Sequence, residues 1–129
     1  MRNVDFEFNK SNIDAEAIVN GDWEQTLRAF GNLIKNAVQA IPENQQGLIT
    51  IHLTKEHKQF YISITDNGKG ITEEAKQKIF TPNFTTKSGG TGLGLAMVKS
   101  IVENMQGKIS FESEYGKGTT FKIELSEAE

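Results

Sequence analysis

The chain has 129 residues, which is enough for one buried core and too few for a second domain of ordinary size. Hydrophobic residues make up 36% and charged residues 24%, and no apolar run approaches membrane-spanning length, so a disordered or membrane-embedded chain is excluded. A net charge of -3 with interspersed signs makes nucleic acid an unexpected partner, and zero cysteines exclude disulfides and thiolate metal sites. Because the N-terminal residues lack the apolar block of a signal peptide, we expect a cytoplasmic location.

The first predicted elements are a strand and a long helix. Alternation over Val4–Phe8 predicts the strand. Asp22 is a plausible N-cap for the helix, and Gln25 three residues later completes a capping-box pattern. Pro42 follows the end of the apolar stripe. At helical spacing, that stripe consists of Leu27, Phe30, Ile34, Ala37, Val38 and Ile41.

A hairpin and a short helix follow. The alternating residues that predict the two strands are Ile49, Ile51 and Leu53 before a turn at residues 55–59, and Phe60, Ile62 and Ile64 after it. A short helix is predicted from Thr72 to about Phe80, with acidic residues first and lysines later, as the helix dipole prefers. Residues 81–91 form a polar, glycine-containing loop without periodicity, which is a candidate lid.

The last predicted elements are a third helix and two closing strands. The buried side of the helix consists of Leu95, Met97, Val98, Ile101, Val102 and Met105. Gly107 is predicted to end it, and the strands are predicted at Ile109–Ser113 and Thr119–Leu125. Helices interspersed with hairpin-type strand pairs predict a two-layer α+β fold, with one mixed sheet and helices on one face.

Asp66 and Thr119 are polar residues at inward-facing positions of predicted strands. Asp66 continues the alternation of the second hairpin strand, so its carboxylate should point toward the core side and needs a donor. An exocyclic amine such as that of adenine would satisfy it, with Gly68 and Gly70 allowing the backbone to approach a flat base. Residues 66–68 are equally consistent with a simple turn. The Thr119 hydroxyl also faces inward, and bonding to neighbouring backbone would explain it as well.

The remaining polar candidates lie on the first long helix and in the loop before the third helix. Asn32 and Asn36 share one face, which is either solvated or the site of a Mg2+ ligand beside a nucleotide. Residues 89–95 are rich in glycine and open a helix, where free N–H groups favour phosphate, although a flexible hinge is the alternative. Lys87 is either a mobile phosphate contact or a solvated lysine.

Taken together, four motifs resemble those of the Bergerat-fold ATPases, specifically the sensor histidine kinases. They are Asn32-Leu33-Ile34-Lys35-Asn36-Ala37, Asp66-Asn67-Gly68-Lys69-Gly70-Ile71, Ile79-Phe80-Thr81-Pro82-Asn83-Phe84-Thr85-Thr86-Lys87 and Gly90-Thr91-Gly92-Leu93-Gly94-Leu95, with Gly118-Thr119-Thr120-Phe121 also matching. The similarity covers nearly the whole chain. It implies a two-layer sandwich with about five strands, about three helices on one face and a mobile ATP lid.

The resemblance also implies roles for individual residues in binding ATP and Mg2+. Asn36 would ligate Mg2+, and Asn32 and Lys87 would support the phosphates. Asp66 would recognise adenine, with assistance from Thr119. Further nucleotide contacts are implied at Gly68, Gly70, Ile71, Phe80, Gly90, Thr91, Gly92, Leu93 and Gly94.

Position 32 separates the subfamilies of this fold. Members that hydrolyse ATP, such as gyrase-like topoisomerases and MutL-like repair proteins, place a glutamate there, as do the anti-sigma serine kinases. Asn32 cannot act as a general base, which favours transfer of the γ-phosphate to a histidine. One departure is Gln39, where many sensor kinases carry a basic residue, so a phosphate contact from that position is not expected.

We therefore expect one domain over residues 1–129, the catalytic and ATP-binding part of a sensor kinase without its phosphoacceptor domain, and monomeric. Its expected partners are ATP or ADP, the dimerisation and histidine-phosphotransfer domain of the full kinase, and a response regulator. The alternatives are a stand-alone ATPase or serine kinase of the same fold, or a degenerate module used only for protein contacts.

Overall fold

The computed structural model describes residues 4–11, 23–81 and 94–126 of the chain. In chain order the elements are β1 (Val4–Ser11), α1 (Trp23–Ala40), β2 (Gly47–Glu56), β3 (Gln59–Asp66), α2 (Glu73–Lys76), α3 (Gly94–Asn104), β4 (Lys108–Glu114) and β5 (Gly118–Ser126). Each predicted strand and helix is present, with bounds that differ by a few residues. None of the helices in these ranges is long and apolar enough to cross a membrane.

The strands form one mixed sheet in the order β1-β2-β3-β5-β4. β1 and β2 are parallel, and the other neighbouring pairs are antiparallel. The register aligns Ile51 with Ile64, Ile64 with Phe121, and Phe121 with Phe111, so apolar side chains line up across four strands. α1 and α3 bury their apolar faces in the same cluster as these side chains. The predicted α+β class, with helices over one face of a mixed sheet, is confirmed.

The buried face of α1 differs from the predicted stripe at its N-terminal end. Thr26, Ala29, Leu33 and Ala37 are each at most 5% exposed, whereas Leu27 is 54% exposed. Leu27 follows Thr26, so it lies about 100° further round the helix and points away from the sheet. The prediction that Leu27 belongs to the core face was wrong, because a buried threonine takes the core position one residue earlier.

The second helix is shorter than predicted. The Thr72 hydroxyl accepts a hydrogen bond from the Ala75 N–H at 3.2 Å and caps a helix that spans only Glu73–Lys76. Beyond it the chain turns through bonds between residues three apart, from the Lys78 N–H to the Ala75 carbonyl at 2.8 Å, and continues in turns to residue 80. These turns bury Ile79 against the core.

The C-terminus of α3 is closed by two backbone hydrogen bonds. The Gly107 N–H donates to the Val102 carbonyl at 2.9 Å, and the Gln106 N–H donates to the Glu103 carbonyl at 2.9 Å. Gln106 takes the left-handed position, with φ at 60°. Gly107 is required for a different reason, because a Cβ there would lie 2.5 Å from the Glu124 carbonyl oxygen. The prediction that Gly107 ends the helix is thus refined, since Gln106 makes the left-handed turn.

Replacing Gln106 with glycine is expected to raise the free energy of unfolding by about 1 kcal/mol, because a left-handed backbone costs a side chain about that much. Gln106 is exposed, so little packing is lost. Urea unfolding followed by circular dichroism measures the change. The matched variant Gly107→Ala should destabilise the chain, and a stabilising Gly107→Ala would contradict this account.

Candidate functional site

Three polar side chains stand in one row at the end of the sheet. Asp66, the last residue of β3, pairs with Thr119 of β5, and Thr119 pairs with Ser113 of β4. Asp66 is 6% exposed and Thr119 is 5% exposed, so both face inward as the strand alternation predicts. Buried polar groups require hydrogen-bonding partners. Their concentration in one row marks this end of the sheet as a candidate site.

The Asp66 carboxylate is held by the chain that follows it. Its Oδ1 atom accepts the Gly68 N–H at 2.8 Å. An aspartate that bonds to the backbone two residues on forms an Asx-type turn. The two interpretations of this segment are therefore compatible, since residues 66–68 turn and the carboxylate is nevertheless buried. A carboxylate offers about four acceptor positions, so one such bond does not exhaust its capacity.

Sequence reasoning missed Ser113, whose hydroxyl lies at the β4 end of this row. Its Oγ accepts the Ile71 N–H at 2.8 Å, donates to the Gly118 carbonyl at 2.9 Å, and lies 2.8 Å from the Thr119 hydroxyl. The signal that identified Thr119 could have found Ser113, because Ser113 shares strand parity with Ile109 and Phe111. Ile71, a predicted nucleotide contact, is half-buried and packs against the core.

The predicted base-pocket glycines lie where two backbones pass close together. A Cβ on Gly68 would be 2.5 Å from the Ala40 carbonyl oxygen. Gly70, with φ at 74°, would place a Cβ within contact distance of the Glu114 backbone. The Lys69 N–H between them donates to the Ala40 carbonyl at 2.9 Å. The segment is thus wedged between the C-terminus of α1 and the β4–β5 turn, which by itself requires glycine at both positions.

The two asparagines of α1 lie on a half-buried face between α3 and residues 66–71, here called the Asp66 segment. The Asn32 side-chain amide donates to the Arg28 carbonyl at 2.9 Å, and its Oδ1 lies 3.0 Å from where a Cβ of Gly94 would be. Gly94 is the first residue of α3, so this amide faces a helix N-terminus. Asn36 is one turn further along. The predicted face is therefore only partly exposed, and it borders α3.

Ala40 extends the same face by one more turn and contacts Gly68. Between Asn32 and Ala40 the helix rises about 12 Å, with Asn36 midway. One end of this stretch meets the N-terminus of α3, and the other meets the Asp66 segment. An extended ligand lying along it would present one end to a buried carboxylate. Its other end would meet the first backbone N–H groups of α3 and the positive end of the helix dipole.

Phe80 lies in an aromatic cluster under the site. Its ring makes edge-to-face contacts with Phe111 at 5.8 Å and Phe121 at 6.4 Å, and Lys99 Nζ lies 5.5 Å from its centroid. Ring pairs at such distances stabilise the packing beyond their buried area. Phe80 therefore anchors the chain just before the predicted lid, and its contact with a nucleotide stays a prediction.

The other predicted site residues, Lys87, Gly90, Thr91, Gly92 and Leu93, lie outside the described residues, as does the Asp22 cap. Within the ranges that are described, no three His, Asp or Glu side chains converge as a metal-binding cluster. The ligand predicted on α1 is instead a neutral amide oxygen, that of Asn36. Such a ligand fits a cation that keeps most of its coordination for water and phosphate oxygens, as Mg2+ does.

The chain matches known proteins over most of its length. A family model described as histidine kinase-, DNA gyrase B-, and HSP90-like ATPase matches residues 21–129. Sporulation kinase A of Bacillus subtilis (strain 168) is 39% identical over 122 residues, covering 94% of this chain and 20% of that kinase. Sensor histidine kinase ZraS of Escherichia coli (strain K12) is 44% identical over 107 residues, covering 83% of this chain and 23% of that kinase.

Solved structures give the same result. The nucleotide-free catalytic domain of histidine kinase ThkA superimposes with a TM-score of 0.80 and 37% identity, covering 95% of this chain and 78% of that one. ThkA in complex with the response regulator protein TrrA superimposes with a TM-score of 0.77 and 33% identity, covering 97% of this chain and 34% of that one.

The chain therefore belongs to the histidine kinase-, DNA gyrase B- and HSP90-like ATPase family, and within it to the catalytic ATP-binding domains of sensor histidine kinases. The family implies that the chain binds ATP. The chain spans less than a quarter of the length of sporulation kinase A and of ZraS.

Proposed function

We propose that this domain binds MgATP and presents the γ-phosphate to a histidine on the dimerisation and phosphotransfer domain of a sensor kinase. The observation that carries the proposal is the buried Asp66 carboxylate, which stands next to Thr119 and is linked by Gly68 to the α1 face bearing Asn32 and Asn36. A buried carboxylate can accept several hydrogen bonds, and the exocyclic amine of adenine is a donor that suits it. The helix amides and the N-terminus of α3 suit the phosphate end.

For the described residues, the proposed roles follow the positions of the side chains. Asp66 accepts a hydrogen bond from the adenine amine, and Thr119 beside it contacts the same edge of the base. Asn32, against Gly94, supports the phosphates, and Asn36 ligates Mg2+. When bound, that ion neutralises phosphate charge. The predicted contacts at Gly68, Gly70, Ile71 and Phe80 complete the base end, and Lys87, Gly90, Thr91, Gly92, Leu93 and Gly94 complete the phosphate end.

The choice of a histidine acceptor over water rests on Asn32. Its carboxamide has no basic lone pair that could take a proton from water, and its NH2 group already donates to the Arg28 carbonyl at 2.9 Å. An imidazole nitrogen is a nucleophile that needs no such base. The domain's contribution is then to hold the phosphate in line for attack and to neutralise its charge.

The experiment that tests the proposal combines this chain with the separately produced histidine-containing domain of its parent kinase and radiolabelled ATP. Acid-labile phosphate should appear on the added domain and not on this chain alone. A variant of the added domain with alanine in place of its histidine is the control. Rapid ATP hydrolysis by the isolated chain, or acid-labile phosphate on it, would contradict the proposal.

We further propose that the phosphoryl group passes to a response regulator and that the domain works in the cytoplasm as a monomeric unit of a larger kinase. The support is the similarity to ThkA, one of whose structures contains the response regulator protein TrrA. Transfer of label from the phosphorylated histidine domain to an added regulator would test the first point.

Replacing Asn36 with alanine is expected to weaken the part of ADP affinity that depends on Mg2+. Because a direct metal ligand is lost, the factor by which Mg2+ raises ADP affinity should fall at least about tenfold. ADP affinity in EDTA should be unchanged. Calorimetry with and without Mg2+ measures both terms. Gln39→Ala, one turn further on the exposed side of α1, is the matched control and should leave both unchanged. Equal Mg2+ dependence in Asn36→Ala and the natural chain would remove Asn36 from the metal site.

A further inference from the structure

The Ser113 hydroxyl joins three separate segments around the proposed base site. It accepts the Ile71 N–H at 2.8 Å, which ties the Asp66 segment to β4. It donates to the Gly118 carbonyl at 2.9 Å, across the β4–β5 hairpin. Its third contact is the Thr119 hydroxyl at 2.8 Å. The nucleotide-binding roles proposed for this site do not include Ser113, although its hydroxyl contacts one of their residues directly.

Counting protons fixes the direction of the third contact. A serine hydroxyl has one proton and two acceptor lone pairs. The Gly118 carbonyl can only accept, so it takes the Ser113 proton, and the Ile71 N–H occupies one lone pair. The remaining lone pair must accept the proton of Thr119. This is the one arrangement in which all three contacts are hydrogen bonds, and it spends the only proton that the Thr119 hydroxyl has.

Thr119 then offers nothing but lone pairs to a ligand. Asp66, its neighbour across β5 and β3, is likewise an acceptor, and its Oδ1 already receives the Gly68 N–H at 2.8 Å. Two adjacent acceptors favour a ligand edge that donates, such as the 6-amino group of adenine. They disfavour an edge that accepts, such as the 6-oxo group of hypoxanthine or guanine, because facing lone pairs repel each other.

We propose that Ser113 is a positioning residue for base selection: it orients the Thr119 hydroxyl as an acceptor and clamps the Asp66 segment, so that the site prefers 6-aminopurine over 6-oxopurine nucleotides. The inference rests on the proposed function, in which Asp66 meets the base. It adds a selectivity element on β4 that touches no ligand and acts through two residues that do.

A purely structural clamp and a positioning role give different results. Loosening the Asp66 segment alone would weaken the binding of every purine nucleotide by the same factor. Freeing the Thr119 hydroxyl to rotate would weaken ADP binding and would also let that hydroxyl donate to a 6-oxo group. The ratio of the two affinities therefore separates the roles, because general weakening cancels from it.

The test measures binding of ADP and inosine diphosphate, which carries a 6-oxo group, by calorimetry with Mg2+. Ser113→Ala should lower ADP affinity by about tenfold and the ADP-to-inosine diphosphate ratio by about threefold or more. Ser113→Thr, which keeps a hydroxyl, should restore the ratio. Ser110→Ala is the matched control, since Ser110 lies on the same strand with its side chain exposed on the other face.

An unchanged ratio in a folded Ser113→Ala variant overturns the inference, whether or not both affinities fall. If Ser113→Ala loses its cooperative melting transition, Thr119→Val is used instead, because this variant deletes the oriented hydroxyl itself. The same ratio of ADP to inosine diphosphate affinity is then measured. Asp66→Asn tests the proposed function separately from the inference. Full ADP affinity in Asp66→Asn, or no ADP binding by the natural chain, overturns the proposed function together with the inference. Weak ADP binding by Asp66→Asn, combined with an unchanged affinity ratio in Ser113→Ala, overturns the inference alone.

Discussion

Replacing Asp66 with asparagine is expected to lower the affinity for ADP by about 10- to 100-fold, the equivalent of one charge-assisted hydrogen bond. In the natural chain the Gly68 N–H donates to Asp66 Oδ1 at 2.8 Å. The asparagine oxygen can still accept this hydrogen bond, so the turn should survive. The other atom of the carboxamide is then an NH2 group facing the amine of adenine. Two donors facing each other cannot bond, and the buried edge of the base loses its acceptor.

Calorimetry with Mg2+ measures the loss, and thermal melting checks that the fold is retained. Asp5→Asn is the matched control, because it removes the same charge from an exposed position in β1, where Asp5 accepts from the Gln46 side chain. Asp5→Asn should bind ADP as the natural chain does. Equal affinity in Asp66→Asn and Asp5→Asn would take Asp66 out of the nucleotide site and remove the main support for the proposed function.

The burial of Asp66 and Thr119 was predictable because strand alternation is a local property. Each residue has the parity of the apolar residues in its own strand, and a period of two leaves no other face for the side chain. Their neighbourhood was not predictable from alternation. It depends on the register that pairs Asp66 with Thr119 and Thr119 with Ser113, and register is set by long-range pairing.

The structural requirement for glycine also could not be predicted from the local sequence pattern. Sequence reasoning assigned Gly68 to the approach of a flat base, but the atoms nearest to an added Cβ belong to the backbone of Ala40 on α1. Contacts between segments so far apart in the chain are not encoded in the motif itself. The glycine is therefore needed for the fold whether or not a base binds, and substitution of Gly68 cannot serve as a clean test of the base pocket.

Two differences from the predicted helices have a common physical cause. Leu27 was placed on the core face because it is apolar, and Gly107 was predicted to end α3. In the structure Thr26 takes the core position, and Gln106, just before Gly107, takes the left-handed position after the helix has ended at Asn104. Tertiary packing overrode residue preference in both cases, at a cost of about 1 kcal/mol or less for each position. Such small preferences cannot decide a helix face or end against the packing of a whole element.

Gly118→Ala is expected to lower the free energy of unfolding by about 3 kcal/mol or more, because backbone strain and a steric overlap add at this position. Gly118 opens β5 with φ at 141°, a conformation that side chains rarely adopt. An added Cβ would also overlap the backbone carbonyl of Asp66, the last residue of the neighbouring β3. A backbone carbonyl of a paired strand cannot move aside as a flexible side chain can.

Gly116→Ala separates the two contributions. Gly116 also has a positive φ, at 89°, but an added Cβ there meets no atom within 4 Å. It should therefore cost only the backbone strain, about 1–2 kcal/mol. Urea unfolding of both variants measures the difference, which reports the close approach of β5 to Asp66. Because that approach sets the position of the carboxylate, Gly118→Ala protein that remains folded should also bind ADP more weakly than Gly116→Ala does. Equal unfolding free energies for the two variants would mean that the contact between Gly118 and Asp66 does not constrain the site.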